Sequence, residues 1–286
     1  MYNGIKSIDH PVVAVDDMES SKVVYEKLGF MVPPRGSHVE WGTGNWCIMF
    51  ANDYFELRGI LDPERYTINL DKVLDQFGEG LMGVAFGTDS AQGNYDEMLK
   101  NGLQAKEVKQ LSRNFELEEG WTQPSFSLCF PQEQDILGLM HVVMCQHMTP
   151  ELIRKPEYLI HPNGVTGVIS VTGIIEDIDD VEVAMGRLLG KEAINRSTEG
   201  LTLTLPSQQT INLLTQSAYD MYYGPFTKNI STTEKTYLGA TTLKVDDITK
   251  IQFVLNSNNI PFIKTGNNKV MVAAAYTCGV ALEFIE

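Results

Sequence analysis

The sequence has few basic residues and no long apolar run. Lys and Arg together number 22 against 37 Asp and Glu, which gives a formal net charge of −15. A surface for nucleic acid or anionic lipid needs a cluster of basic residues, and the chain contains none. No apolar run approaches the ~18 residues that a membrane span requires, and the N-terminus does not read as a signal peptide. We therefore expect no nucleic-acid and no membrane partner.

Cysteine is also scarce, and several catalytic motifs are missing. The four cysteines are scattered, without a C-x-x-C pair, and Cys47, Cys129 and Cys145 lie in strand-like apolar runs that are typical of small buried residues. We therefore expect a reducing, cytoplasmic location. The sequence has no P-loop, no Rossmann fingerprint and no G-x-S-x-G motif, so nucleophilic hydrolysis has no support.

One unit recurs four times along the chain. In each copy an apolar strand leads into a helix with an acidic start, which ends at Gly or Asn, and short β-type runs follow. The helix-start acids are Asp16, Asp89, Asp177 and Asp246. The period is too long for a solenoid, and it fits four βαβββ modules of an α+β fold. The stretch 151–163, which contains Pro156 and Pro162 and is followed by Gly164, is the predicted linker between a pair at 1–150 and a pair at 164–286.

Three polar residues interrupt apolar strands at comparable module positions. They are His10 in SIDHPVVAV, Glu56 in YFELRGI and His141 in LMHVVMC. A lone strand histidine is usually a hydrogen-bonded core residue, and Glu56 alone fits a solvated edge strand. Together, two neutral imidazoles and one carboxylate with open positions are typical of a catalytic metal site. We therefore predict that the three residues bind a divalent metal.

Further candidate residues lie in the Gly-rich stretch 33–45. It is either a plain hairpin or the mouth of the metal site, and its candidate substrate-binding residues are Trp41, Thr43 and Asn45. His38 is a candidate catalytic base, with a surface histidine as the alternative.

Two arginines are candidates for binding substrate. Arg58 shares strand alternation with Glu56, so we expect both side chains to face one cavity. There Arg58 either binds a substrate carboxylate or forms a buried salt bridge. Arg113 is a weaker candidate for the same task.

Residues 8–60 resemble the glyoxalase-like subgroup of the vicinal oxygen chelate superfamily. The resemblance is carried by H-x-V-x-A-V, Y-x-x-L-G-F, P-R-G-x-H-x-x-W-G-T-x-N and Y-x-E-L. It implies two paired, U-shaped mixed β-sheet lobes, with metal ligands on the first and last strand of each module. The implied positions are His10, Glu56, Gly83 and His141. Gly83 offers no ligand, which implies either room for water or substrate, or loss of the metal.

The resemblance also limits what the second half is expected to do. Among residues 165–286, Glu283 alone lies at a ligand-like position, so a structural or lid-forming role is implied there. The implied cofactor is a divalent metal, Fe, Mn, Ni or Zn.

Two functions follow as hypotheses. In the first, a metal-dependent isomerase, lyase or dioxygenase acts on a small oxygen-chelating substrate, and the metal stabilises an enolate or oxyanion. In the second, which the bleomycin-resistance relatives imply, the protein binds or sequesters a small molecule without metal. A homodimer is left open.

Overall fold

The computed structural model describes residues 4–117, 120–132, 135–227 and 236–286, which form two mixed β-sheets and six α-helices. The first sheet contains β1 (Ile5–Ala14), β2 (Gly36–His38), β3 (Thr43–Met49), β4 (Tyr54–Ile60), β5 (Gly80–Thr88), β6 (Ala105–Leu117), β7 (Gly120–Thr122), β8 (Ser125–Pro131) and β9 (Val142–His147). The second contains β10 (Val165–Ile175), β11 (Ile194–Arg196), β12 (Gly200–Thr204), β13 (Thr210–Leu214), β14 (Thr236–Val245), β15 (Ile263–Lys264), β16 (Lys269–Val272) and β17 (Ala281–Ile285).

The described helices are α1 (Met18–Lys27), α2 (Leu70–Phe77), α3 (Ala91–Lys100), α4 (Ile178–Leu189), α5 (Gln216–Tyr223) and α6 (Ile248–Ser257). With α1, α3, α4 and α6 as their helices, the strands repeat the βαβββ order four times, with the short β7 as an extra strand in the second module. This confirms the predicted α+β fold. Helices α2 and α5 were not predicted.

Side-chain caps fix where the four module helices begin. The N-caps are Asp17, Ser90, Asp177 and Asp247, and each accepts a hydrogen bond from a backbone N–H of the first turn. Asp177 was predicted correctly. The predicted starts Asp16, Asp89 and Asp246 each lie one residue too early. In the first module this is because Asp17 accepts from the Ser20 N–H, at 2.6 Å, while the Asp16 N–H donates to Glu79.

The first sheet closes on itself. Its strand order is β2-β3-β4-β1-β5-β9-β8-β6-β7, and β2 also pairs with β6. Eight strands thus form a closed ring, a size whose interior is filled by side chains or holds one small ligand. The second sheet, in the order β11-β12-β13-β10-β14-β17-β16-β15, has no such closing pair among the described residues.

The two sheets share one apolar core. Ile8 of β1, Tyr25 of α1, Val168 of β10 and Phe284 of β17 belong to a single buried cluster. Strand β10 packs against β1 and β4, and β14 packs against β5. The domain boundaries at 150 and 164 stay a prediction.

Two segments fill part of the interior of the first sheet. Helix α2 packs Leu70 and Val73 against Val12 on β1. Ile153 and Tyr158 pack into a second cluster with Tyr54, and Arg154 donates a hydrogen bond to the Phe50 carbonyl at 2.9 Å. The predicted linker therefore packs against the first sheet, and a small cavity lies within the barrel.

Candidate functional site

The interior of the barrel holds a cavity of about 50 Å³. Strands β1, β2, β3, β4 and β6 bring most of the predicted residues to its wall. The lining includes His10, His38, Trp41, Asn45, Glu56, Arg58 and Arg113. His141 and Thr43 are not part of this lining.

A β-bulge on β1 turns two adjacent side chains toward the same interior. Ile8 lies opposite Phe86 and His10 opposite Ala85, so Asp9 is the extra residue on its strand. A bulge breaks the alternation of side chains between the two faces. Asp9 and His10 are both buried, and Asp9 Oδ2 lies 2.8 Å from His10 Nδ1.

His10 lies between two carboxylates. Its Nδ1 contacts Asp9, and its Nε2 lies 3.0 Å from Glu56 Oε2. Burial alone would lower the pKa of His10, but the hydrogen bonds to Asp9 and Glu56 outweigh burial and raise it. The pKa of each carboxyl is lowered despite burial, mainly by the charge of His147 for Asp9 and of Arg58 for Glu56. Ionised carboxylates only accept, so both ring nitrogens of His10 donate and the ring is an imidazolium.

Glu56 is fully engaged by protein groups. Its Oε1 accepts from Asn45 Nδ2 at 2.7 Å and from Arg58 Nε at 3.1 Å. Its Oε2 accepts from Arg58 Nη2 at 2.8 Å and contacts His10. The side chain is 1% exposed, so the alternative of a solvated edge-strand residue does not apply to Glu56. Arg58 does form the buried ion pair that the sequence left open, and its guanidinium also lines the cavity.

Arg113 has fewer partners than its burial requires. It is 2% exposed, and its Nη1 donates to Asn45 Oδ1 and to Cys47 Sγ, both at 2.8 Å. Its Nε and Nη2 have no hydrogen-bond acceptor among the described residues. Gly36 allows this approach, because a Cβ there would lie 2.3 Å from Asn45 Oδ1 and 3.0 Å from Arg113 Cδ.

His38 lies opposite Arg113 where β2 and β6 close the barrel. Its Nδ1 is 3.1 Å from the Thr43 carbonyl oxygen and 2.9 Å from Thr43 Oγ1. A carbonyl only accepts, so Nδ1 carries the proton and Nε2 keeps its lone pair. Burial and then the charge of Arg58 lower the pKa of His38 to about 3. The ring is therefore neutral at pH 7, and it packs against Trp41 with centroids 5.3 Å apart.

His141 is not brought to His10 and Glu56. It precedes β9 and lines a separate cavity next to the first. The N-caps Asp17 and Ser90 are 73 residues apart, so Val12 corresponds to Ala85 in the second module. Val12 pairs with Glu56, and Ala85 pairs with Val143. Val143, rather than His141, therefore occupies the position equivalent to Glu56.

The backbone of His141 leaves no space for a side chain at Gly83. A Cβ at Gly83 would lie 2.4 Å from the carbonyl oxygen of His141. The chain at the start of β9 thus fills the space that a ligand side chain at position 83 would occupy, while Gly83 itself lines the same cavity as His141. A glycine is needed here for the close approach of β5 and β9.

The predicted ligand set does not fit a metal ion in this arrangement. His10 has both ring nitrogens on carboxylates, Glu56 has both oxygens on protein donors, and His141 lines the other cavity. Among the described residues, the group whose ligand atoms lie within 4.8 Å of one another is Asp9, Cys145 and His147. Metal binding there requires proton loss. Burial, and then the charge of Asp9, raises the pKa of the Cys145 thiol well above its usual value.

Sequence reasoning missed several residues of this polar cluster. Asp9 accepts from His147 Nε2 at 3.0 Å, and Arg154 lies 3.7 Å away. Tyr54 stacks on His10 with ring centroids 4.1 Å apart. The detectable signal was Asp9 itself, an acid directly before His10 in an apolar strand. Strand alternation would have assigned its side chain to the opposite face.

The closed sheet, the βαβββ repeat and the first-module motifs agree with one known family. The glyoxalase-like domain family model matches residues 8–189, which is more than half of the chain. The chain belongs to the glyoxalase-like domain family. This places it in the vicinal oxygen chelate superfamily, as the sequence motifs predicted. No curated protein sequence matches the chain.

Solved structures share the fold of this glyoxalase-like protein at low sequence identity. A hypothetical protein from Staphylococcus aureus has a TM-score of 0.66 at 10% identity, with 97% of this chain and 98% of that chain covered. A mutant of 4-hydroxymandelate synthase from Streptomyces coelicolor has a TM-score of 0.62 at 11% identity, covering 100% and 93%. A xylose isomerase-like TIM barrel/4-hydroxyphenylpyruvate dioxygenase fusion protein has a TM-score of 0.57 at 10% identity, covering 100% of this chain and 49% of that chain.

In the second sheet of this glyoxalase-like protein, the carboxylate at the ligand-like position is paired with neighbouring side chains. Glu283 accepts from Thr242 Oγ1 at 3.0 Å and from Lys269 Nζ at 3.2 Å, so its carboxylate is paired within the sheet. Helix α5 packs against β10 and β13, with Tyr219 buried. Within the described ranges, no helix has the length and apolar character to cross a bilayer.

Proposed function

We propose that the barrel cavity binds a small organic anion and that this binding does not depend on a metal. The observation that carries the proposal is the Arg113 guanidinium, which lines the cavity and has two buried nitrogen atoms, Nε and Nη2, without an acceptor among the described residues. Each unsatisfied buried donor costs about 1–3 kcal/mol. A guanidinium is suited to a carboxylate, because its parallel N–H groups match both oxygens.

The charge balance of the lining supports the same conclusion. His10, Arg58 and Arg113 are cations, whereas Glu56 is the single carboxylate of the lining. Apolar side chains such as Trp41, Phe126 and Leu128 complete the wall. An anion with an apolar body therefore suits this cavity.

Thr43 and Asn45 take positioning roles in this proposal. Thr43 holds the neutral tautomer of His38, and Asn45 joins Glu56 to Arg113. The Nε2 lone pair of His38 accepts a hydrogen bond from a ligand that also carries a donor such as a hydroxyl group. The low pKa makes His38 a weak general base.

The test is calorimetric titration of chelator-treated protein with benzoate and phenylpyruvate, and with their neutral methyl esters. We expect the acids to bind and the esters to bind at least tenfold more weakly. Arg113→Gln should remove this preference. The matched control is Arg196→Gln, because Arg196 is an exposed arginine paired with Asp179 and Glu182 on the second half. Equal affinity for acid and ester in wild type contradicts the proposal.

A second candidate is a metal-dependent enzyme, which one observation favours. The Asp9, Cys145 and His147 ligand atoms form a compact group of metal-binding types. Two proteins of similar fold are described as a synthase and a dioxygenase fusion. The elemental content of protein purified without chelator, compared between wild type and Cys145→Ser, tests this candidate.

A further inference from the structure

A second cavity of about 140 Å³ adjoins the barrel cavity. Four side chains line both, so the two cavities share a wall. These shared residues are Trp41, Arg58, Leu128 and Val143. We call the smaller cavity, which contains Arg113, the inner cavity and the larger one the outer cavity. A molecule held by Arg113 would extend past Arg58 into the outer cavity.

Two exposed lysines of β6 line the outer cavity. They are Lys106 and Lys109, and in a regular strand this spacing would turn them to opposite faces. The pairing of β6 with β8 shifts between them, because Lys106 lies opposite Phe130 and Lys109 opposite Leu128. Three residues on β6 thus match two on β8, and this bulge brings both lysines to one face.

The outer cavity differs in charge from the rest of the molecule. The chain carries a net charge of −15, yet no described Asp or Glu lines this cavity. Its lining contains Arg58, Lys106, Lys109 and His141. Among the described residues, neither lysine has an acidic partner, whereas Lys100 and Lys250 pair with neighbouring acids. A cationic cavity on an acidic protein concentrates anions.

We infer that the ligand carries two anionic groups, one at Arg113 in the inner cavity and one at Lys106 and Lys109 in the outer cavity. This inference rests on the proposed function, since it adds a second charge to the same ligand. The distal group is a carboxylate or a phosphonate-type oxyanion, because both satisfy an ammonium. The apolar shared wall fits a short carbon chain or a ring between the two charges.

The experiment compares dianions and monoanions of equal length. Calorimetric titrations use glutarate, adipate and suberate, the monocarboxylates with the same number of heavy atoms, and 4-phosphonobutyrate. We expect one dianion to bind wild type about tenfold more tightly than its monoanionic match. The double variant Lys106→Gln/Lys109→Gln should lose this advantage and keep the affinity for the monoanion. The ratio between glutarate and 4-phosphonobutyrate, whose chains are equally long, distinguishes the two kinds of distal group.

A charge-matched control distinguishes direct contact between the two lysines and the ligand from a long-range effect of the protein's net charge. Lys100→Gln/Lys244→Gln makes the same change in net charge with lysines that line neither cavity. It should leave the dianion advantage intact. If this control loses the advantage as well, or if wild type binds both acids equally, the inference is overturned.

The role of Arg113 in the inner cavity is tested separately with Arg113→Lys. If this variant weakens both acids while the lysine variants change neither, the proposed anion site stands and the dianion inference fails. If no acid binds wild type at millimolar concentration, the proposed function and the inference both fail. Every lysine changed is at the surface, so folding is expected to persist, and thermal melts verify it.

Discussion

His10 Nε2 lies 3.0 Å from Glu56 Oε2 inside the barrel, where the sequence predicted that both side chains would face a metal ion. The two residues meet as an imidazolium and a carboxylate, because Asp9 holds the other ring nitrogen and Arg58 holds Glu56 from its far side. A buried charge that has lost its partner destabilises a protein, so each member of this network depends on the others.

The first prediction concerns the charge of His10. Its pKa is raised by Asp9 and Glu56, so its ring should stay doubly protonated above the ordinary histidine value of 6.5. A histidine whose pKa is higher in the folded protein than in the unfolded chain stabilises the folded protein. This stabilisation is complete at pH values below the unfolded pKa, and it is lost as the pH rises through the folded pKa. Glu56→Gln should lower that pKa. Ring nitrogen shifts in a two-dimensional NMR titration measure it.

His161 is the internal control for this titration. Its Nδ1 accepts from the Met31 N–H and its Nε2 donates to the Met49 carbonyl, and burial lowers its pKa. Its signals should stay those of a neutral ring in both proteins. A wild-type His10 that titrates below 6.5 would rule out the imidazolium.

Helix starts and modules were readable from the sequence because they depend on local chemistry. An acid that caps a helix acts within three residues, as Asp17 does on Ser20. The one-residue error at Asp16 arose because two acids are adjacent and only the fold decides which of them turns back. The second half of the repeat was recognisable for the same reason, although its motifs are weak.

The site was only partly readable because it depends on pairing register. Glu56 and His10 share a cavity because β1 and β4 are parallel neighbours, with Val12 opposite Glu56. In the second module, the pairing register of β5 and β9 places Val143 instead of His141 at the position equivalent to Glu56. Nothing in the local sequence indicates this two-residue offset. The alternation of side chains along a strand does not predict the β-bulge that turns Asp9 inward either.

The second prediction concerns metal and His141. Because His141 lines the outer cavity, His141→Ala should leave any metal-dependent rise in melting temperature unchanged. Cys145→Ser should reduce such a rise, since Cys145 belongs to the compact group with Asp9 and His147. Thermal melts with and without Mn²⁺, Ni²⁺, Zn²⁺ or Fe²⁺ provide the measurement. Loss of the rise in His141→Ala would mean that this side chain enters the metal site.

The third prediction concerns Gly83. A Cβ at this position would lie 2.4 Å from the His141 carbonyl oxygen and 2.7 Å from its Cβ. Gly83→Ala must therefore push β5 and β9 apart, and we expect a loss of about 1–3 kcal/mol in the free energy of unfolding. Urea denaturation measures the change.

Gly186→Ala serves as the control for Gly83→Ala. Gly186 lies in α4, where a new Cβ would have its nearest neighbour at 3.5 Å, and alanine is the better helix former by up to about 1 kcal/mol. This variant should be as stable as wild type or more so. If Gly83→Ala behaves in the same way, the strands are not in the close contact described here.

The fourth prediction concerns Asp53, a buried carboxyl between the two sheets. Its Oδ1 accepts from the Val168 N–H and its Oδ2 from Gln209 Nε2, both at 3.0 Å, yet burial raises its pKa to about 7. The folded protein thus holds the Asp53 proton more tightly than the unfolded chain does. The contribution of Asp53 to wild-type stability should therefore fall as pH rises from about 4 to about 7, by up to ~4 kcal/mol, and then level off.

Asp53→Asn isolates this effect because it cannot ionise. The variant loses the acceptor for Gln209, which costs about 1 kcal/mol at every pH, so it should be the less stable protein near pH 4. Its stability relative to wild type should then rise through pH 7, until the order is reversed. Urea denaturation at pH 4, 5.5, 7 and 8.5 measures the difference, with Asp220→Asn on the exposed side of α5 as the control for a lost surface charge. A difference between wild type and Asp53→Asn that does not change with pH would show that Asp53 is ionised throughout.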